Sequence, residues 1–458
     1  MALAALTEIL AAARFDAPAM AGIKGEDPVL PVRYRIGTAG AASLAALGLA
    51  VEELWEVRGG ARQRIGVDLR AATASLRSAR YLRVNGKPPP APWDPLSGFY
   101  PVREGWISIH CNFRNHREAA MGVLGAATRE AGEQASRGWQ GETLEDAIHV
   151  AGGCAGFVRS HEHWAKHAQA LAVATQPLIE IERIGDAPPE PLPKAPRPLS
   201  GVRVLDLTRV LAGPTCARSL AEHGADVLKI SAEHLPDSGM MDLDTGIGKL
   251  SARIDLRTPE GAATLQALAR DADVFSQSYR PGALARRGFS PEELATLRPG
   301  IVCVSLSAWG GSGPWRERRG FDSIVQSVSG IAQAHGDGTK PKLLPVSAID
   351  YVSGYLMAFG ATLALARRAR EGGSWLVRVA LARVGKWIVD LGEPRHPWAG
   401  LPEELPEAEL AALMGEMDAP DGRVRFLKPV IQLSQTPAHW ARPPVPLGTH
   451  PPAWPPRA

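Results

Sequence analysis

The chain has 458 residues, of which 45% are hydrophobic and 22% charged; this composition is typical of globular proteins, and the length predicts two or three domains. A formal net charge of +3 is too small to indicate nucleic acid or a membrane as a partner, and we expect no membrane-spanning run. The four cysteines contain no CxxC pair, which argues against a zinc ribbon or a disulfide scaffold and predicts a reducing, cytoplasmic location.

The N-terminal region combines small-residue helices with a short strand. MALAALTEILAAARFDAP predicts an amphipathic helix and lacks the basic n-region of a signal peptide. Residues 41–69 predict a helix, a charged turn ending in Gly-Gly and a strand, and residues 355–381 repeat that order. We assign residues 1–80 to an N-terminal helix–strand module.

Residues 90–186 predict a smaller α+β domain. The stretch 98–113 is typical of a hairpin, and LEDAIHVAGG and RSHEHWAKHAQAL are typical of helices. On the second helix His163 and His167 would share a face that could hold zinc with a third ligand. Solvated histidines are commoner in so polar a stretch, so we predict no metal site.

Proline marks two further boundaries. The stretch APPEPLPKAPRPL, residues 187–199, is too proline-rich to join a helix or a central strand and predicts an extended linker. The last segment, 386–458, is also rich in proline and predicts a tail that wraps over the surface and ends disordered.

Residues 200–385 predict an α/β domain. Apolar, β-branched runs at 201–208, 225–230, 272–279 and 301–309 alternate with helical stretches. The helices carry start signals, with Thr258 before Pro259 and a capping box from Ser290 to Glu293. This alternation predicts a parallel sheet of Rossmann type, and hence an α/β fold with a Rossmann-like domain and the smaller α+β domain.

Ligands on such sheets bind beyond the carboxyl ends of the strands, which makes the loops 208–214, 278–287 and 307–320 the candidates. No G-x-G-x-x-G or P-loop is present, so we predict neither NAD nor FAD. A helix starting near Pro214 favours an anion, although a simple turn fits equally well. Seven basic residues lie in or near these loops and suit either phosphates or a solvated surface: Lys249, Arg280, Arg286, Arg287, Arg316, Arg318 and Arg319.

Asp350 is the single charged residue of LLPVSAIDYVSGYLMAFGATLAL, residues 343–365. It could cap a helix that starts near Tyr351, pair with a buried arginine, or act as a covalent nucleophile in a dry pocket. The pattern alone favours the helix cap over the other two.

Five blocks of the second half resemble family III CoA-transferases in the family's own order. They are PLSGVRVLDLTRVLAGPTCARSLAEHGADVLKI, KLSARIDLRTPEG, ADVFSQSYRPGALARRGFSPEEL, RPGIVCVSLSAWGGSGPWRERRGFDSIVQSVSGI and AIDYVSGYLMAFGATLAL. The family includes formyl-CoA and carnitine CoA-transferases and the related α-methylacyl-CoA racemases. The resemblance covers about 198–385 and implies a CoA-transferase acting on an acyl-CoA and a free carboxylate.

The resemblance also implies roles for individual residues. Asp350 matches the family nucleophile, which forms an anhydride and then an aspartyl-CoA thioester, and Gly354 completes its D-x-x-x-G pattern. Asp322 matches an acid close to the active site. The positions that match family contacts to coenzyme A are Arg209, Val210, Leu211, Ala212, Lys249, Ser278, Tyr279, Arg286 and Arg319.

Two departures bear on the activity. Leu211 replaces a glutamine of formyl-CoA transferase, which puts the formyl and oxalyl substrates in doubt. Phe321 replaces the catalytic histidine of the racemases, and inversion of a stereocentre needs two opposed bases. A racemase and a non-catalytic CoA-thioester-binding protein are therefore the alternatives to a transferase.

The module order departs as well. Residues 98–125 resemble the family's small domain, which ordinarily follows the catalytic blocks, and 41–69 resembles a unit that ordinarily precedes them. Residues 423–447 resemble the family's C-terminal segment. Since family members form interlocked homodimers, we expect a homodimer here, with the first half completing the site in its own chain or in a second copy.

Overall fold

The computed structural model describes residues 1–17, 21–88, 90 and 93–457. The strands in these ranges are β1 (Ala21–Lys24), β2 (Ile65–Asp68), β3 (Arg83–Val84), β4 (Gly98–Val102), β5 (Gly105–Ile109), β6 (Ala155–Phe157), β7 (Glu180–Gly185), β8 (Arg203–Leu207), β9 (Asp226–Ser231), β10 (Lys249–Arg253), β11 (Val274–Gln277), β12 (Val302–Ser307), β13 (Ser374–Ala380), β14 (Met414–Ala419), β15 (Gly422–Leu427) and β16 (Gln432–Leu433).

The α-helices in the same ranges are α1 (Ala2–Ala12), α2 (Ile36–Val57), α3 (Leu69–Ser75), α4 (Ser78–Tyr81), α5 (Arg114–Leu124), α6 (Arg129–Ser136), α7 (Gly141–Val150), α8 (His161–Lys166), α9 (Ala168–Ala174), α10 (Ala212–Ala221), α11 (Met240–Gly246), α12 (Pro259–Arg270), α13 (Pro291–Leu297), α14 (Asp322–Val328), α15 (Ile331–His335), α16 (Ala348–Glu371), α17 (Leu381–Asp390) and α18 (Glu407–Leu413).

The main sheet has seven strands in the order β10-β9-β8-β11-β12-β13-β7. Its strands run parallel except β7, which pairs antiparallel with β13 at one edge. The predicted mostly parallel sheet is thus present. The strand order reverses where β8 and β11 lie side by side, and in open α/β sheets the loops at such a reversal form the ligand crevice.

The helix start signals lie where the sequence predicts them. Thr258 accepts a hydrogen bond from the N–H of Gly261 (3.0 Å) at the start of α12. Ser290 and Glu293 form the reciprocal capping box of α13. These caps satisfy N–H groups that the first turn of a helix leaves free, so local sequence is enough to define them.

The two copies of the internal repeat meet in the core, where α2 packs against α16. Both helices are rich in alanine and glycine and are buried over nearly their whole length. The 24 residues of α16 are long and apolar enough to cross a membrane by length and composition alone, which corrects our expectation of no such run. Within the fold, protein buries all of the 18-residue apolar stretch that meets this criterion.

The first half contains the expected hairpin, β4 and β5, extended by β6. The predicted helix over RSHEHWAKHAQAL breaks at His167, which adopts extended backbone angles and caps α9 by accepting the N–H of Gln169 (3.1 Å). His163 and His167 therefore do not share a helical face, and the basis for a zinc pair is absent.

The linker and the tail are both tied to the body. Arg58 donates hydrogen bonds to the carbonyls of Pro193, Pro198 and Ser200, which hold the linker in place. β7 lies before the predicted domain boundary yet belongs to the main sheet, because its backbone pairs with β13. The expected disordered end of the tail is also wrong, since Arg457 donates to the carbonyl of Gly201.

Candidate active site

A cavity of about 540 Å³ opens where the strand order reverses. Each of the three candidate loops contributes to its wall, through residues such as Arg209, Ser278 and Ala308. A second cavity of about 180 Å³ adjoins it, and Asp350 lines both. The parallel sheet therefore brings together, at its carboxyl edge, loops that are far apart in sequence.

Asp350 lies in the first turn of α16 and does not cap it, because the helix begins at Ala348. The capping role falls to Asp322 of α14, which accepts a hydrogen bond from the N–H of Asp350 (3.0 Å). The carboxyl group of Asp350 has neither a hydrogen bond nor an arginine partner among the described residues, and the residue is 7% exposed. The interpretations of Asp350 as a helix cap and as the partner of a buried arginine therefore do not hold.

The two acids lie close together in a dry setting. Burial, together with the negative charge of Asp322, raises the pKa of Asp350 well above its ordinary value. Burial also raises the pKa of Asp322, to about 6, although hydrogen bonds from Asp350 and Gln326 oppose the rise. A carboxylate with so little solvation is a better nucleophile when it ionises than one in water.

Gly354 explains how the first loop comes so close to Asp350. A Cβ at this position would lie 2.5 Å from the carbonyl oxygen of Ala212 and 2.7 Å from Cβ of Thr215. Only glycine therefore lets the start of α10 pack against α16 one turn after Asp350. In the same loop Val210 has a φ of +70°, a strained conformation for a β-branched residue.

Lys249 does not reach either cavity. It is 2% exposed, and its ammonium group donates to Asp206 (2.7 Å) and to the carbonyl of Pro214 (2.8 Å). Burial lowers the pKa of Lys249 to about 8 even though Asp206 favours the charged form. Lys249 of β10 therefore holds β8 and the loop that follows β8 in place.

Some of the basic loop residues line the larger cavity, and others lie outside it. Arg280 and Arg319 line the larger cavity, and neither has an acidic partner among the described residues. Arg316 and Arg318 line it as well, but each has an acidic partner: Arg316 pairs with Glu317 (3.4 Å) and Arg318 with Asp146 (2.6 Å). Arg286 lies outside the lining, on a short 3-10 turn. Unneutralised guanidinium groups in a cleft favour a phosphorylated ligand.

The remaining candidate contacts lie together. Arg209, Val210, Leu211, Ala212, Ser278 and Tyr279 all line the larger cavity. Ser278 joins two of the loops, since its hydroxyl accepts a hydrogen bond from the N–H of Arg209 (3.3 Å). The guanidinium of Arg209 donates to the carbonyl of Pro236 (2.6 Å) and stacks 5.1 Å from the ring centre of Phe113.

The first half supplies part of the wall, which the residue-by-residue reasoning missed. Phe113, Asn115 and His116 line the larger cavity, and His110 lines the smaller one. The available signal was the resemblance of 98–125 to the family's small domain. Hydrophobic patterning alone does not reveal which side chains of a hairpin and the following helix face another part of the chain.

Comparison with known proteins supports the resemblance. The pattern of CoA-transferase family III matches residues 199–398. The chain is 30% identical to the probable fatty acyl-CoA transferase Rv3272 of Mycobacterium tuberculosis, over 54% of this chain and 68% of that protein. It is 35% identical to the succinyl-CoA–D-citramalate CoA-transferase of Chloroflexus aurantiacus, over 41% of this chain and 50% of that one.

Coverage of other relatives is smaller. The acetyl-coenzyme A transferase nodX of Hypoxylon pulicicidum is 35% identical over 46% of this chain and 37% of its own length. The chain thus spans about half the length, or less, of several curated relatives. The crystal structure of Rv3272 superposes with a TM-score of 0.40 at 32% identity, over 43% of this chain and 59% of that one. Because the chain is 30% identical to Rv3272 and covers 68% of its length, it belongs to CoA-transferase family III.

Proposed function

We propose that this chain moves coenzyme A between an acyl-CoA thioester and a free carboxylic acid, with Asp350 as covalent nucleophile on a Rossmann-like sheet. The observation that supports this most is the position of Asp350. Its carboxyl group has no partner among the described residues and lies where a cavity lined by arginines meets a smaller one. Phosphates of coenzyme A suit the arginines, and the thioester would then lie near the carboxylate.

Each covalent step conserves atoms and charge. A carboxylate oxygen of Asp350 attacks the thioester carbonyl, the C–S bond breaks, and coenzyme A leaves as a thiolate. The thiolate attacks the aspartyl carbonyl of the resulting anhydride and releases the donor acid as a carboxylate. The acceptor carboxylate then reverses both steps through a new anhydride, which divides one difficult exchange into easier ones.

The residues around Asp350 hold the nucleophile and the first loop in place. Asp322 holds the first turn of α16 through the N–H of Asp350, which fixes where the nucleophile starts. Gly354 allows the start of α10 to pack against α16 one turn after Asp350, which keeps the first loop beside the nucleophile. The Lys249–Asp206 pair holds the same loop from behind.

Trapping tests the proposal directly. The full chain is incubated with acetyl-CoA and then with hydroxylamine or borohydride, and the modified residue is located by peptide mass spectrometry. We expect hydroxamate or reduction at Asp350, and none in Asp350→Asn. Coenzyme A binding without any adduct or exchange would instead favour a non-catalytic CoA-thioester-binding protein. Deuterium incorporation at the α-carbon, without exchange, would favour a racemase.

We also propose a homodimer in the cytoplasm, with interlocked chains. The dimer rests on the family resemblance, and the location on four cysteines that are all free and buried. The proposed units are the module 1–80, the small domain 90–186 with its last strand β7 in the main sheet, the linker 187–199, the catalytic domain 200–385 and the tail 386–458. Light scattering of the purified chain tests the dimer, and a monomer that carries full activity would contradict it.

A further inference from the structure

The two cavities differ in charge, and this difference bears on which acyl group the chain accepts. They share Asp350 together with Phe113, Val210, Leu211 and Phe321. The arginines that line the larger cavity do not line the smaller one: Arg209, Arg280, Arg316, Arg318 and Arg319. A thioester held near Asp350 therefore has its coenzyme A portion on the basic side and the acyl group directed to the smaller cavity.

The smaller cavity has no lysine or arginine in its lining among the described residues. Its charged side chains are acids, and Asp237 and Asp322 accompany Asp350 there. The remaining wall is apolar at residues such as Met241 and Leu344, and its other polar side chains are uncharged: Asn112, Ser238, Ser323, Gln326 and Ser347. A second carboxylate on the acyl group would thus be buried beside like charges with no cation to receive it, which is strongly unfavourable.

Aromatic rings form one side of this cavity. His110 stacks on Phe321, with ring centres 3.9 Å apart and planes 6° from parallel, and Phe113 stacks on Phe321 at 5.8 Å. Burial lowers the pKa of His110 to about 4, so its imidazole is neutral near pH 7 and supplies no cation. Flat, uncharged rings provide a surface for an apolar or aromatic group.

The size of the cavity limits what it can hold. Its volume is about 180 Å³, and an apolar protein cavity of about 150 Å³ accommodates a benzene ring. An acyl group with a side chain of about phenyl size fills this space. A long fatty acyl chain is too large for this cavity and would extend beyond it.

Resting on the proposed function, we propose that the smaller cavity selects an uncharged monocarboxylic acyl group of about phenyl size or less and excludes dicarboxylic acyl groups. The acyl group would pack on the rings of His110, Phe113 and Phe321. The chain would thus differ in substrate class from its relatives named for succinyl-CoA.

A matched pair of thioesters tests this inference. Hexanoyl-CoA and glutaryl-CoA have similar length but differ in the terminal carboxylate. We measure the rate at which each labels Asp350 in the full chain and the rate of CoA exchange with the corresponding free acid. We expect hexanoyl-CoA to react at least roughly 100-fold faster, because the glutaryl carboxylate is left unpaired in a buried site.

The outcomes separate the two proposals. If glutaryl-CoA labels Asp350 as fast as hexanoyl-CoA, the selectivity inference is overturned and the transferase proposal stands. If palmitoyl-CoA reacts as fast as hexanoyl-CoA, the size limit is overturned. If no thioester, acetyl-CoA included, labels Asp350 or supports exchange, the proposed function fails and this inference fails with it.

A charge placed in the cavity provides a second test. Met241 is half-buried on α11 and lines the smaller cavity, whereas its neighbour Met240 does not. We expect Met241→Arg to raise the glutaryl-to-hexanoyl ratio at least about tenfold, since it supplies the missing cation. Met240→Arg is the matched control and should leave the ratio unchanged, with thermal unfolding measured for both. An equal change in both variants would overturn the charge argument.

Discussion

Replacing Asp322 with asparagine should remove the part of the pH dependence of stability that this buried carboxyl group contributes, while Asp350 remains titratable. Burial raises the pKa of Asp322 to about 6 in the folded chain, against about 3.9 for an ordinary aspartate. The folded chain therefore binds this proton more tightly than the unfolded chain does. Its contribution to the free energy of unfolding is fully present below about pH 4 and is lost as the pH rises through 6.

The magnitude follows from the size of the shift. A difference of about 2 pKa units at about 1.36 kcal/mol each corresponds to about 3 kcal/mol between pH 4 and pH 8. About half of this falls between pH 5 and pH 8. The asparagine side chain of the variant has no carboxyl proton to lose, and its amide oxygen can still accept the N–H of Asp350.

Urea unfolding at pH 5 and pH 8 measures the effect. The parent chain should lose about 1–2 kcal/mol more stability over this interval than Asp322→Asn does. Asp186→Asn, at a fully exposed aspartate, is the control and should follow the parent. If Asp322→Asn retains the parent's full pH dependence, the raised pKa of Asp322 is not its source and the prediction is wrong.

The remaining predictions concern the site and its support. The exchange rate should rise with pH at values well above the ordinary titration range of an aspartate, because burial and an acidic neighbour raise the pKa of Asp350, and Asp322→Asn should move this rise to lower pH. Arg319→Gln should raise KM for acyl-CoA about tenfold or more, while Arg286→Gln, outside the cavity lining, should change it less than about twofold. Lys249→Met should destabilise the fold by up to about 3 kcal/mol in thermal or urea unfolding, because buried Asp206 loses its hydrogen-bonded cation and keeps only the nearby charge of Lys229. Gly354→Ala should lower kcat/KM while far-UV circular dichroism is retained, since the added methyl displaces the start of α10.

Features that depend on neighbours along the chain were predictable from the amino-acid sequence. Alternating apolar strands and capped helices predicted the parallel sheet and its three ligand loops, and all three loops line the larger cavity. Caps at Thr258 and Ser290 were correct because a cap needs only residues within one turn. The same local rules predicted that Asp350 caps a helix, since an acid before a helix is most often a cap, and this prediction was wrong.

The surroundings of Asp350 depend instead on tertiary packing. Asp322 supplies the hydrogen bond to the start of α16, and the two residues are 28 positions apart in sequence. Lys249 was expected at the ligand, but its pairing with Asp206 across the sheet directs it into the protein interior. Phe113 comes from the first half, on a segment that precedes the catalytic blocks. Long-range packing places these groups, and no local pattern of a single sequence encodes which distant side chains share a cavity.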